Sequence, residues 1–457
     1  MEEKIIIKEN KMGVLPVKKL VFSMSVPMMI SMLVQALYNI VDSIFVSWIS
    51  NEALTAVSLA FPLQSLVIAV GAGTGVGINA MLSKALGEKD YKKVSKTATN
   101  GGFIYILSFI IFLILGLTIV KPFYAGQVKN ETEYMIKEYG NTYLGIVMTM
   151  SFGLFAQFYF ERLLTSTGKT MYSMTSQLSG AITNLILDPV LIFGFKMEVA
   201  GAAVATVIGQ CVAAFVAFYF NKKKNDEVRL SFRKFRPDGH IIGNIYKVGL
   251  PSIVMQSIGS VMTYCMNTVL IGFSSTAVSV FGVYFKIQSF FFMPLFGMNN
   301  GVTPIIAYSY GAGARKRMIK TIKISMVVGA AILSLGFIVF ETMPHLLLKI
   351  FKATEEMIEI GKPAFRIIGT HYLIAWFCII AGTVFQALGK AVYSLIVSIM
   401  RQLVVLVPAA FLLAKFVGLK AVWWAFPIAE VMSFIVTSIC FIRIYKNIIM
   451  KLPEGNE

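Results

Sequence analysis

Three carboxylates stand inside long apolar segments in the first half of this 457-residue chain: Asp42, Glu161 and Asp188. An ionisable side chain within a membrane-spanning helix is costly, so such residues usually carry protons, bind ions or contact a substrate. Asn184 precedes Asp188 by four residues, so on a helix both side chains can reach one bound ion. Neither Asp42 nor Asp188 has a basic residue within one turn. These features favour a proton or cation site over fixed ion pairs.

Polar side chains at helical spacing extend these positions into stripes. The stripes are Gln35, Tyr38, Asn39 and Asp42; then Gln177, Asn184 and Asp188; and then Gln256, Ser260, Tyr264 and Asn267. The third stripe contains no acid. Polar side chains without an acid also form hydrogen bonds between neighbouring helices, so this stripe has two interpretations: cavity lining or helix packing.

The composition requires a membrane to surround these stripes. The chain is 57% hydrophobic and 14% charged, with a mean hydropathy of +0.74. Apolar runs long enough to cross a bilayer predict an all-α integral membrane protein with twelve transmembrane helices. We place them at roughly 18–48, 54–82, 95–120, 134–164, 170–194, 200–220, 241–272, 277–307, 317–342, 356–386, 391–414 and 421–446.

The second half of the sequence repeats the first. Without a gap, Pro27 aligns with Pro251, Gln64 with Gln288, and Gly73, Gly77 and Gly87 with Gly297, Gly301 and Gly311. Six helices per half is an even number, so we expect two parallel repeats around a central cavity. We also expect Gly73-x-x-x-Gly77 and its copy Gly297-x-x-x-Gly301 to let helices approach closely within each bundle. This alignment sets Asp42 opposite Met266, and slightly smaller offsets set Asp188 opposite Val407 and Glu161 opposite Gly382, so only the first copy carries these acids.

Basic residues predict the orientation. Thirty of the 41 Lys and Arg residues fall on one side, nine fall on the other, and Lys286 and Arg366 lie within helices. The positive-inside rule then places both termini in the cytoplasm of a multi-pass protein of the plasma (inner) membrane. The charged segment 221–240 is expected to be a cytoplasmic linker that joins an N-terminal bundle at 1–220 to a C-terminal bundle at 241–457. The net charge of +18 is explained by this bias, and no nucleic-acid partner is expected.

Other charged residues within helices have competing interpretations. Glu161 is followed by Arg162, so it is either part of the ion site or half of a solvated pair at the inner rim. Lys286 is expected to face the cavity as a counter-ion to Glu161 or Asp188. In the second half, Arg401 and Glu430 are interpreted as a structural pair and His371 as a satisfied core residue.

No sequence motif supplies a cofactor or an energy source. The stretch GAGTGVG at 71–77 lacks the Lys and Ser/Thr of a phosphate loop and continues within a helix. A duplicated membrane bundle with acids in one copy indicates a transporter, and its transport must then be driven by an ion gradient or a partner protein. Because oxygen ligands suit either ion, H⁺ and Na⁺ both stay possible as coupling ions, with Asp42, Asn184 and Asp188 as sodium ligands. No clustered catalytic motif is present, so we do not expect an enzyme.

The chain resembles the multidrug and toxic compound extrusion (MATE) family over nearly its whole length. The most specific segments are Asn39-x-x-Asp42, the run from Asn184 to Pro189, and FGMNNG at 296–301. The absence of acids in 251–272 and 363–386 places it nearer the DinF-like than the NorM-like branch. The resemblance implies that Asp42 and Asp188 are the coupling acids, assisted by Asn184 and Thr206.

We therefore expect a monomeric antiporter that exports small amphipathic organic cations by alternating access, with Pro27 as the bending point of the first helix. A lipid-linked oligosaccharide flippase of the same superfamily is the first alternative, and a membrane-embedded transferase or a channel is less favoured. The predicted cavity residues are Gln35, Tyr38, Asn39, Gln256, Tyr264, Asn267, Tyr284, Lys286 and Gln288.

Overall fold

The computed structural model describes residues 9–127, 134–230, 235–351 and 353–453. Within them, twelve apolar helical spans are long enough to cross a membrane, two of them bent, as the sequence predicted. We number them spans 1 to 12. Their bounds are Val17–Ser47, Asn51–Gly87, Tyr91–Thr118, Tyr134–Thr149 with Phe152–Ser166, Thr170–Gly194, Glu198–Lys224, Gly239–Ile271, Ser275–Gly311, Arg315–Thr342, Glu355–Gly369 with Tyr372–Ala387, Ala391–Phe416 and Leu419–Ile449. Short helices at Lys11–Val14, Val120–Gln127 and Pro344–Ile350 lie outside the spans.

The repeat is visible as matching irregularities in the two halves. Span 4 is bent by 42° after Thr149, and its counterpart, span 10, is bent by 50° after Gly369. Spans 5 and 11 each contain a π-helical segment, at Val190–Gly194 and Met400–Leu406. A π segment adds a residue to a turn and redirects the side chains that follow, and such segments are frequent at functional sites.

The paired glycines join the two halves to each other, and the prediction that they pack within each bundle was wrong. A Cβ on Gly297 of span 8 would lie 2.5 Å from the carbonyl oxygen of Met28 in span 1, and one on Gly77 would lie 2.2 Å from that of Ile245 in span 7. Gly87 and Gly311 would each press against the other's helix in the same way. Spans 1 and 2 therefore meet spans 8 and 7 with their backbones in contact, and only glycine fits there.

The segment before span 1 crosses this interface and contacts both halves. The guanidinium of Arg317 in span 9 donates to the carbonyl oxygens of Met12, at 2.8 Å, and Leu15. On the other side, Asn10 donates to the carbonyl oxygen of Thr167 at 3.1 Å. We call residues 9–15 with these partners the inner seal, because they lie at the end of the spans that carries the basic clusters.

At the opposite end the two halves separate. The span 1 face that meets Gly297 continues, three turns further, to Asn39, which is exposed. The span 7 face that meets Gly73 continues from Ile253 to Tyr264, which is 74% exposed. These exposures fit the predicted cavity between the halves, with its closed end at the basic clusters. With the orientation that the basic residues predict, its open end faces the outside.

Span 1 is one continuous helix with Pro27 inside it, and the role of Pro27 as a bending point stays a prediction. Proline frees the carbonyl four residues earlier, at Ser23, and the hydroxyl of Thr170 in span 5 donates to it at 3.4 Å. The linker is shorter than predicted, from the end of span 6 at Lys224 to the start of span 7 at Gly239. Residues 231–234 and both termini lie outside the described residues.

Candidate functional site

The centre of the N-terminal half is a pair of carboxyl groups from two spans. Asp42 of span 1 and Asp188 of span 5 lie within hydrogen-bonding range of each other. Asp188 is 1% exposed, whereas Asp42 is partly exposed. The pair therefore has one member inside the bundle and one that solvent reaches.

Asn184 fixes the position of the buried carboxylate. Its amide group donates to Asp188 Oδ1 at 3.3 Å and to Thr206 Oγ1 of span 6 at 3.4 Å. This contact depends on a close approach of spans 5 and 6. A Cβ on Gly180 would lie 2.7 Å from the carbonyl oxygen of Gly209, and the reverse distance is 2.8 Å. The two glycines thus bring Asn184 within reach of Thr206.

The remaining oxygens of the pair define its chemistry. Within the described residues, no hydrogen-bond donor reaches Asp42 Oδ1 or Asp188 Oδ2. Two negative carboxylates within hydrogen-bonding range of each other in a low-dielectric environment repel each other strongly, and one positive charge between them removes the repulsion. The arrangement can therefore hold a proton shared by the two groups, or a small cation.

Two tyrosines complete the surroundings. Tyr38, one turn before Asp42, is within electrostatic reach of both acids. Tyr143 of span 4 is also within reach of both, lies beside Gln64, and is 2% exposed. Sequence reasoning missed Tyr143 because it belongs to no polar stripe. Gln64 was noticed only as a repeat position, and its alignment with Gln288 in an apolar helix was the available signal.

Glu161 belongs to a separate cluster. Its Oε1 accepts from Gln157 at 3.0 Å and lies 3.1 Å from the hydroxyl of Ser176, while its Oε2 accepts from Gln177 at 3.1 Å. Ser176 is twelve residues before Asp188 on the same helix, which is about 18 Å along its axis. The side chain is 5% exposed, so the inner-rim interpretation, a solvated pair with Arg162, is wrong.

The cluster has a place for a proton on Glu161. The hydroxyl of Ser176 has a single hydrogen but lies 2.8 Å from the carbonyl oxygen of Ala213 and 3.1 Å from Glu161 Oε1. A protonated Glu161 could donate to Ser176 while Ser176 donates to Ala213. Arg162 points elsewhere and donates to Asn300 Oδ1 of span 8 at 3.2 Å, which links the halves.

The structure corrects two predictions for span 8. Tyr284 does not line the cavity: it is fully buried in the C-terminal half, with its hydroxyl 3.1 Å from His371 Nε2. Lys286 is exposed, three turns before Gly297 on the face towards the cavity. Its ammonium lies 5.9 Å from the centre of the Phe351 ring. In the described part of the chain it forms no salt bridge with Glu161 or Asp188.

The other predicted cavity residues differ in exposure. Asn39, Gln256 and Tyr264 are exposed; the partly exposed ones are Gln35, Tyr38, Asn267 and Gln288. Gln256 and Asn267 lie eleven residues apart on the span 7 face that carries Tyr264. Gln288 Oε1 is buried and receives no donor within the described residues.

Comparison with known proteins gives a consistent result. The MatE family matches residues 27–190 and 251–412. "Multidrug export protein MepA" of Staphylococcus saprophyticus is 28% identical over 410 residues, which cover 89% of each chain. An outward-facing conformation of a multidrug resistance MATE family transporter of the MOP superfamily superposes with a TM-score of 0.90 at 24% identity, over 96% of this chain and 99% of that one.

A second solved structure is a MOP superfamily transporter from Pyrococcus furiosus, described as having a binding pocket of reverse polarity. It is 26% identical, with a TM-score of 0.85 and the same coverage of 96% and 99%. The family match covers most of both repeats. The chain therefore belongs to the MatE family of membrane transporters.

Proposed function

We propose that this chain is an antiporter that exports amphipathic organic molecules in exchange for protons, with Asp42 and Asp188 as the coupling site. The position of the pair supports this role, because Asp42 is partly exposed and Asp188 is buried inside the bundle. A proton that enters from the open side is shared by the two carboxylates and leaves the pair with one negative charge, and its release restores the second negative charge, which attracts a cationic substrate. The names of the MepA relatives support multidrug export as the function.

The orientation of Asn184 favours a proton over sodium. A sodium ion needs oxygen ligands, but Asn184 presents its NH₂ group to Asp188 and Thr206. Two carboxyl groups within hydrogen-bonding range of each other are arranged to share a hydrogen. Sodium would require the amide to rotate and lose both hydrogen bonds, each contributing about 1 kcal/mol. This is the observation on which the proton-coupled proposal depends.

Efflux from proteoliposomes with the two gradients imposed separately tests the coupling ion. A fluorescent cationic dye is preloaded, and either a proton or a sodium gradient is applied at zero membrane potential. The proposal predicts efflux with the proton gradient alone. Efflux that requires sodium at constant pH would assign the site to that ion. Asp188→Asn protein, reconstituted at equal density, is the matched control for passive leak.

Lys286 supports a second candidate substrate class. It is an exposed cation on the cavity face, and no acidic side chain of the described residues neutralises it. An anionic substrate, such as the pyrophosphate of a lipid-linked oligosaccharide, would find its counter-charge there. Protection of a pump-deficient cell against anionic compounds but not against cationic dyes would favour this candidate, and Lys286→Gln would then abolish the protection.

A further inference from the structure

The C-terminal half contains a buried cluster of titratable groups that the proposed coupling site does not use. His371 Nε2 lies 3.1 Å from the hydroxyl of Tyr284, and its Nδ1 lies 3.6 Å from Glu430 Oε2. Arg401 approaches the same carboxylate oxygen at 3.5 Å. Four different spans, 8, 10, 11 and 12, supply these groups, which we call the C-half cluster. Glu430 is 2% exposed and His371 is 6% exposed.

The charges of the cluster leave room for one proton. Arg401 keeps its positive charge at all relevant pH values and balances a negative Glu430. A neutral His371 therefore completes a neutral cluster, and a protonated His371 gives it one positive charge. Glu430 would then lie between two cations, a favourable position for the added charge. The other titratable groups around the ring are Tyr372 and Cys378.

The hydrogen bonds allow the imidazole to exist in both states. With His371 neutral, Nδ1–H faces Glu430, and Nε2 accepts from the hydroxyl of Tyr284. With His371 protonated, Nε2–H donates to Tyr284, whose hydroxyl must turn away. The hydroxyl of Tyr372 is close to that of Tyr284 and has no partner of its own in the described part of the chain, so it is available to accept from it. A proton on His371 thus reverses one hydrogen bond without leaving the tyrosine unsatisfied.

Unsatisfied polar atoms concentrate around the same place. Polar groups buried without a partner cost about 1–3 kcal/mol each, and internal water commonly supplies the partner. A polar interior of this kind can conduct a proton to a buried imidazole. Within the described residues, the buried atoms without a partner here are His371 Nδ1, Tyr372 OH, Glu430 Oε1, Ser433 Oγ and Thr437 Oγ1.

His371 also lies at the break in span 10, directly before the helix that begins at Tyr372. Its backbone amide donates to the carbonyl oxygen of Ile368, three residues earlier, whereas in a regular α-helix it would donate to the carbonyl oxygen of the residue four earlier. Attraction between a protonated ring and Glu430 would act directly on this break. A change in charge is therefore placed where it can change the 50° bend of span 10.

We propose that the C-half cluster is a second proton-binding site, centred on His371, whose proton adjusts the bend of span 10. The site does not depend on which substrate is exported, or on whether Asp42 and Asp188 carry the coupling proton. It gives the protein one titrating position in each half.

Histidine NMR of the substrate-free protein in nanodiscs tests the site. The chain has only three histidines, so protein labelled with ¹³C,¹⁵N-histidine gives three sets of ring signals. His240→Gln and His345→Gln identify the signals of the other two without disturbing the cluster. We expect ring signals of both the neutral and the protonated imidazole for His371 as the pH of the sample is varied. Signals of one state alone throughout overturn the proposal.

Two variants with opposite expected effects test the geometry. Glu430→Gln removes the anion beside the ring, so the protonated fraction of His371 at pH 6 should fall about tenfold or more. Arg401→Gln removes the competing cation, so this fraction should rise. Asp188→Asn should leave the titration unchanged. If neither cluster variant moves the titration, or both move it in the same direction, the assignment is wrong. None of these readouts requires transport.

Discussion

The two halves share one fold but place opposite kinds of charge at their centres. The N-terminal half brings together two acids, Asp42 and Asp188, which repel unless a positive charge joins them. The C-terminal half brings together Glu430 and Arg401, which neutralise each other. A buried like-charge pair is stable only when it binds a proton or a cation, whereas an opposite-charge pair needs no additional charge. On the proposed function, the first half drives exchange and the second adjusts it.

The repeat shows how this difference arose on one scaffold. Each centre adjoins the π-helical segment of an equivalent span, at Val190–Gly194 after Asp188 and at Met400–Leu406 around Arg401. The residues themselves are not equivalent. Met266, opposite Asp42, is fully buried, and Tyr284 aligns with the small Ala60. The backbone irregularity is thus common to both halves, and the side chains placed on it set the chemistry.

The largest effect is expected at the acidic pair. Asp188→Asn should reduce gradient-driven export to the level of empty liposomes, because a neutral amide imitates the protonated form permanently. Asp42→Asn should behave in the same way. Thermal unfolding checks that both proteins remain folded, and Asp226→Asn, an exposed linker position, is the matched control. Export at the unaltered rate in either variant would make the acids structural.

Substitutions in the C-half cluster should instead change the free energy of unfolding. Arg401→Met leaves Glu430 buried without its cation, at a cost of about 2–3 kcal/mol, since removing one partner of a buried pair is costlier than removing both. The double variant Arg401→Met with Glu430→Gln should recover most of that loss. Chemical denaturation in detergent measures the difference. Equal losses in the single and double variants would show that the pair is not coupled.

The inner seal joins both halves, so variants of its residues should shift the balance between conformations in which the basic ends of the spans are together and apart. Arg317→Met removes the donors to Met12 and Leu15, so the basic ends of the spans should separate more often. Lys11→Met should have the opposite effect, because burial and the neighbouring Lys169 lower the pKa of Lys11 and make its charge unfavourable there. For the same reason the seal of the unaltered protein should tighten as pH rises towards the ordinary lysine pKa of about 10.4.

Spin labels at Lys92 and Lys316, exposed and equivalent positions in the two halves, report this separation. The seal predicts a larger population of long distances in Arg317→Met and a smaller one in Lys11→Met. Identical distance distributions in all three proteins would show that the seal does not hold the halves together.

The smallest effect is expected at Lys286. Its ammonium is exposed, lies near the ring of Phe351 and forms no salt bridge within the described residues, so Lys286→Gln should improve export of a cationic dye by about two- to fivefold and weaken recognition of anions by a similar factor. Dye efflux measured at low and high salt checks the electrostatic origin, because screening should reduce the difference. A large loss of cation export would assign Lys286 a role in coupling.

Sequence periodicity predicted part of this arrangement and could not predict the rest. Spacing on single helices is sufficient to align Asn184 with Asp188, and both were predicted as one site. Spacing does not tell which helix a face meets, so the glycines that join the halves were assigned within them. Lipid-facing, cavity-facing and buried faces can all be apolar with a few polar groups, which is why Tyr284 was placed in the cavity. Tyr143 reaches the site only through the packing of span 4.

Proton release on substrate binding tests the role of the acidic pair most directly. Purified protein in weakly buffered solution is mixed with a cationic substrate, and released protons are counted with a pH indicator while binding is measured separately. A pair that shares one proton should release about one proton per bound cation, and Asp42→Asn and Asp188→Asn should release none. Binding without proton release in the unaltered protein, or undiminished release in both variants, would contradict proton coupling at this site.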